Sequence, residues 1–267
     1  MIQGKLINNN SRNLTIIFQS AGRIPEPILD KILLKQISRE EVSLYHQRYN
    51  WGKIATNKET DYLFLEDYFS DSYGWYMIDS GKDIIEEFNQ QLSKFIEQHH
   101  YEEVITFGSS KGGTGALLYG LLNPKITTVF SVVPQINSIK YINKHMHKYK
   151  SLFFPKSDIS LEKRLDEIFY NPELYKNDTH KNTTIYFYTG LGDDQFDEIL
   201  NFQNFLVGKV KSSTLIINST QKKHTPLVVD NVAFIHELLH ALETKNKISN
   251  KNLVKLQKGL FLLKDKL

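Results

Sequence analysis

The chain has no cysteine, which excludes disulfides, thiolate metal ligands and a cysteine nucleophile. It also lacks long hydrophobic runs: no stretch reaches the roughly 18 apolar residues that a membrane-spanning helix needs. The opening segment, MIQGKLINNNSRNLTIIF, has no basic start, extended apolar run or small-residue cleavage site. No signal peptide is therefore expected, and a cytoplasmic protein is. Excess charge of one sign is nearly absent. The 33 Lys and Arg stand against 30 Asp and Glu, a net charge of +3, which gives no case for nucleic acid. Internal repeats and low-complexity linkers are absent too. What is present suits one sizeable folded domain: 267 residues, 40% apolar and 24% charged.

The charge is unevenly placed. Residues 244–267 hold seven lysines and one acid, Asp265, so a basic tail follows a mildly acidic body. Leucines 253, 256, 260, 263 and 267 recur at alternating spacings of three and four. This predicts a basic amphipathic C-terminal helix over 244–267, following an α/β domain over 1–243. Such a stripe can pack on the domain, pair two subunits into a homo-oligomer, or lie on an anionic membrane surface.

Short runs rich in Val, Ile, Phe and Tyr alternate with amphipathic segments, the pattern of an α/β fold with a mostly parallel sheet flanked by helices. Strands are expected at 14–19, 61–66, 103–107, 127–133, 184–189 and 214–218. Helices are expected at 80–98, 114–122, 196–207 and 226–242, with Pro226 suited to a first helical turn. Residues 135–182 contain no clear strand and are expected to form a helical insertion covering the site.

The third of these strands runs into FGSSKGG, which places Gly108, Ser110 and Gly112 at G-x-S-x-G spacing. A serine lifted above a sheet on a strand-to-helix turn needs small neighbours, and the glycines supply them. Ser110 is the expected nucleophile. Ser109 falls at an intervening position. The helix N-terminus favours a developing oxyanion, with Lys111 N–H as one donor. Ala21 or Gly22, after the first strand, would supply the second. The partners should follow in the order acid, then histidine. Asp193 and Asp194 lie in GLGDDQ after the fifth strand, and His224 lies in QKKHTP after the sixth. One aspartate would orient His224 and the other would cap the next helix. Asp194 is the expected acid, with Asp193 the alternative.

GSSKGGTGALLYGLL and GLGDDQ resemble segments of bacterial capsular-polysaccharide O-acetyltransferases with an α/β-hydrolase fold. The Lys-Gly-Gly run after the serine is the distinctive part. In that family the second acid of the paired turn serves the triad, which implies Asp194, and His224 matches the family's late histidine by position. The family pattern has a glycine just before the histidine, where this chain has Lys223. The resemblance implies acetyl transfer from acetyl-CoA, as co-substrate, to a hydroxyl of a capsular or other surface polysaccharide through a Ser110 acyl-enzyme. It also implies a capsule-assembly complex at the inner membrane. No bound cofactor or metal is required. Tyr68, Phe69, Tyr73, Trp75 and Tyr76 could stack on a sugar or pack the core.

Other readings compete. The same triad suits an esterase or deacetylase of small acyl or glycan esters. The fold could also persist without catalysis, as an accessory protein of polysaccharide or glycoprotein export. HELLH at 236–240 fits H-E-x-x-H zinc binding through His236 and His240, with Glu237 as base. No third-ligand continuation follows it, so no metal is expected. His145 and His147, among lysines, suit either solvent or anionic groups.

Overall fold

A computed structural model describes residues 2–21, 24–46, 48–67, 74–79, 81–156, 158–175 and 179–264. Among them, the strands are β1 (Gly4–Ile7), β2 (Asn13–Phe18), β3 (Asp61–Leu65), β4 (Ile78–Asp79), β5 (Lys82–Asp83), β6 (Glu103–Ser109), β7 (Thr128–Val132), β8 (Thr184–Gly190), β9 (Ser212–Asn218), β10 (Leu253–Gln257) and β11 (Leu260–Leu263). The strands β4 and β5 form a separate two-stranded ribbon. The others make one sheet in the order β1-β3-β2-β6-β7-β8-β9-β11-β10. Seven neighbours, from β3 to β11, run parallel, and only the edge strands β1 and β10 are antiparallel. Helices cover both faces, which explains why β2 and β3 are buried along nearly their whole length rather than at alternate residues.

The helices are α1 (Glu26–Leu33), α2 (Arg39–His46), α3 (Ile85–Gln98), α4 (Lys111–Leu122), α5 (Ser138–His145), α6 (Lys150–Phe153), α7 (Ile159–Asp166), α8 (Phe196–Phe205), α9 (His224–Val229) and α10 (Val232–Glu243). On one face, α3 buries Phe88, Leu92 and Ile96 beside α4, which is buried along nearly its whole length. On the other, Ile235, Leu238 and Leu239 of α10 pack on Phe107, Phe130 and Tyr188 of the sheet. The fold is of the α/β-hydrolase type, and the C-terminal strand ends, where such sheets carry their sites, gather the residues discussed below.

Two expectations change. Residues 253–263 form a hairpin, not a helix. Lys258 and Gly259 link β10 to β11, Gly259 has φ 75°, and Leu253 pairs with Leu263. A side chain at Gly259 would meet the Ser213 carbonyl at 2.7 Å, so this tight turn breaks the leucine spacing that suggests a helix. β11 instead joins β9 in parallel. The helix expected over 226–242 is two helices. The Asn231 side chain, bonded to Leu227 O and Asn218 Nδ2, marks the break. The insertion over 135–182 holds α5, α6, α7 and short 3-10 turns, packed through Ile139, Ile142, Phe153 and Leu165 into the core. Among the described residues, no helix is long and apolar enough to cross a membrane.

Candidate active site

β6 ends at Ser109 and α4 begins at Lys111, so Ser110 makes the whole turn, with φ 57° and ψ −126°. Its N–H donates to Val132 O at 2.9 Å. The flanking glycines are a steric necessity. A Cβ on Gly108 would lie 2.3 Å from Gly112 O, and one on Gly112 would lie 2.3 Å from Phe18 O. The G-x-S-x-G spacing thus reflects two backbones in contact beneath the serine.

His224 is the first residue of α9. Its Nε2 lies 2.9 Å from Ser110 Oγ. Its Nδ1 lies 3.1 Å from Asp193 Oδ2 and 3.4 Å from Oδ1. A carboxylate only accepts, so Nδ1 carries the proton toward Asp193 and Nε2 is left to accept from the serine hydroxyl. The Asp193 side chain is fully buried, and its Oδ1 also accepts from Gln195 N at 2.9 Å. The acid that meets the histidine is therefore Asp193 and not Asp194. Asp194 points to the rim between Lys144 Nζ at 3.6 Å and Lys223 Nζ at 3.5 Å. Lys144 first, then Lys223, hold its carboxyl below the usual range. Gly192 precedes the pair. A side chain there would strike Gln221 O at 2.2 Å, so the acid loop lies directly against the histidine loop and turns Asp193 inward.

A hydrogen-bond chain clamps the loop after β2 onto the turn. Trp51 Nε1 donates to Ser109 Oγ at 3.1 Å, Ser109 Oγ lies 2.7 Å from Ser20 Oγ, and Ser20 Oγ donates to Ser109 O at 2.7 Å. This holds Ser20 and Ala21 beside Ser110, on the wall of the same cavity. Gly22 lies outside the described residues. Lys111 presents its backbone at the start of α4, while its side chain turns away into the protein. There Nζ meets Asp67 Oδ2 at 2.8 Å, with both side chains fully buried. Asp67 also accepts from Gly74 N and Tyr76 N, so the turn is anchored to the segment after β3.

One contact has no counterpart in the motif. Gln135, fully buried after β7, donates from Nε2 to Ser110 Oγ at 2.8 Å. Its position after Pro134 carries no spacing signal in a single sequence. The residues Ser20, Ser110, Gln135, Asp193 and His224 follow the ends of β2, β6, β7, β8 and β9 in turn.

A cavity of about 500 Å³ opens beside Ser110, lined by Trp51, Ile54, Val228, Val229, Val232 and His236, among others. Trp51, with φ 63°, packs edge-on to Phe107, and Asn50 N is held by Gln19 Oε1 at 2.6 Å. The wall thus comes from residues 50–54 with α9 and α10, and none of the described residues of 135–182 lines it. The insertion borders the site elsewhere, through Gln135 and through Tyr141, whose ring centroid is 6.3 Å from that of His224. Trp75 and Tyr76 are wholly buried and form core rather than a stacking surface. Tyr68, Phe69 and Tyr73 lie outside the described residues. In the HELLH segment, His236 Nε2 meets Thr56 Oγ1 at 3.2 Å and Glu237 Oε2 accepts from Asn250 Nδ2 at 3.3 Å. Among the described residues, no group of three or more His, Asp or Glu could hold a metal ion.

No protein-family model matches the chain, and no curated protein matches it by sequence. Solved structures do. The capsule O-acetyltransferase of Neisseria meningitidis serogroup A, a variant in complex with CoA, is 22% identical with a TM-score of 0.55, covering 86% of this chain and 87% of that one. An arylesterase is 12% identical with a TM-score of 0.56, covering 92% and 84%. A glycosylation-associated protein complex from Streptococcus agalactiae is 12% identical with a TM-score of 0.64; the match covers 90% of this chain but 44% of that one. At these identities the likeness concerns the fold, and the chain has the α/β-hydrolase fold that an O-acetyltransferase and esterases also have.

Proposed function

We propose that this chain is a serine-dependent acyltransferase that moves an acetyl group from acetyl-CoA to a hydroxyl of a capsular or other surface polysaccharide. The observation that carries the reading is the continuous contact from Ser110 Oγ through His224 to Asp193. His224 Nε2 takes the Ser110 proton as Oγ attacks the thioester carbonyl. The carbonyl oxygen becomes an oxyanion near Lys111 N–H and the backbone of Ser20 and Ala21. Collapse breaks the carbon–sulfur bond, and the thiol leaves with the proton held by His224. A sugar hydroxyl then gives its proton to His224 and attacks the acetyl-serine, and Ser110 Oγ departs and regains a proton. Asp193 holds the imidazole throughout. The likeness to a CoA-bound capsule O-acetyltransferase supports the donor and acceptor. A cytoplasmic protein working beside capsule assembly at the inner membrane would fit the same reading.

The cavity favours a second reading. Its apolar wall of Trp51, Ile54, Val228, Val229 and Val232 suits an acyl chain better than a sugar, as in an esterase of small esters. Purified protein with radiolabelled acetyl-CoA and a panel of bacterial glycans separates the two. Acetyl-glycan formed by wild type and not by Ser110→Ala supports transfer. Rapid hydrolysis of p-nitrophenyl esters, unaffected by any glycan, supports the esterase.

A further inference from the structure

Gln135 sits on the reacting oxygen itself, and the orientation of its amide is not free. Oε1 lies 3.2 Å from Trp75 Nε1, and an indole N–H can only donate. Oε1 must therefore face Trp75, with Thr114 Oγ1 a further neighbour at 3.4 Å. That leaves the amide nitrogen 2.8 Å from Ser110 Oγ. Thr114 also fixes the main chain, with Oγ1 accepting from Gln135 N at 2.9 Å and donating to Gln135 O at 3.0 Å.

The hydroxyl of Ser110 has one proton and two lone pairs. Because the amide N–H donates to Oγ, it occupies one lone pair and cannot receive the proton. The proton is left to point at His224 Nε2, 2.9 Å away, and the second lone pair is left for attack. We infer that Gln135 is a further catalytic residue, which directs the Ser110 proton to His224 and stabilises charge on Oγ whenever that oxygen carries it. This rests on the Ser110 nucleophile proposed above. Gln135 stays neutral and transfers no proton. On attack, the Oγ–H bond breaks toward His224 while a carbon–Oγ bond forms. When the acyl group leaves, that bond breaks and its electron pair returns to Oγ, where the Gln135 N–H again faces it.

Gln135→Glu tests this directly. The side chain is isosteric and keeps an acceptor for Trp75 and Thr114, but it puts an acceptor where the donor stood. The readout is the second-order rate at which a fluorophosphonate labels Ser110, with thermal melting followed in parallel. At pH 8 the rate is expected to fall about 10- to 1,000-fold, the scale for loss of one donor to a reacting oxygen. It should recover partly toward acid pH, relative to wild type, as the new carboxyl gains a proton to donate. A purely packing role would lower the melting temperature without reshaping the pH profile. If Gln135→Glu does not fold, Trp75→Phe removes the donor that fixes the amide, and a several-fold lower rate is expected. Wild-type labelling rates in the folded variant at pH 8 would overturn the inference alone. Failure of the wild-type protein to label at Ser110 would overturn both it and the proposed function.

Discussion

At the scale of single residues, the adjacent aspartates are chemically identical and spatially opposed. Asp193 is buried on His224, while Asp194 is held at the rim by two lysines. Asp193→Asn should leave the imidazole in the wrong tautomer and lower kcat/KM for p-nitrophenyl acetate by about 100- to 10,000-fold. Asp194→Asn should stay within a few-fold of wild type. Reversed results would return the orienting role to Asp194. Spacing could not choose between them, because consecutive residues in a turn differ only in where the backbone aims them. The serine and the histidine were legible for the opposite reason. The turn at 110 needs Gly108 and Gly112 on steric grounds, and a late histidine follows the strand where this fold carries its base. Gln135 was illegible: a lone glutamine after a strand resembles many others until Trp75 and Ser110 are seen on either side of it.

At the scale of elements, the six central strands announce themselves as short apolar runs, since burial on both faces leaves no room for polar alternation. The last strands do not. Leucines at spacings of three and four satisfy a helix on paper, yet the Lys258–Gly259 turn folds them into β10 and β11. One helix end carries a titration of its own. At the end of α10, Glu243 accepts from Thr15 Oγ1 at 2.8 Å and Tyr62 OH at 3.0 Å. Burial pushes its carboxyl up to about 7, against the pull of those hydrogen bonds. The folded chain thus keeps this proton after the unfolded chain, with an ordinary carboxyl, has lost it. Stability from this group is fully present below about pH 4.5 and falls as pH rises through about 7. The loss is at most about 3.5 kcal/mol, at roughly 1.4 kcal/mol for each unit. Glu243→Gln should therefore melt closer to wild type at pH 5 than at pH 8, where it should be the more stable protein. Parallel melting curves across that range would refute this.

At the scale of the whole molecule, the sheet continues past β9 only because the C-terminal hairpin joins it. Removing residues 251–267 would bare the β9 edge and uncover Leu215 and its neighbours. The truncated chain is expected to aggregate on heating and to show a lower melting temperature by calorimetry. The centre is also distributed: its serine, glutamine, acid and base hang from four successive strands, β6 to β9. No fragment smaller than the sheet can assemble it, so chemical reactivity here doubles as a gauge of global folding. In a urea titration, the fraction of protein that a fluorophosphonate can still tag should fall along the same curve as the helical circular dichroism. A reactive state that outlived the secondary structure, or vanished well before it, would mean that the four strands do not melt as one.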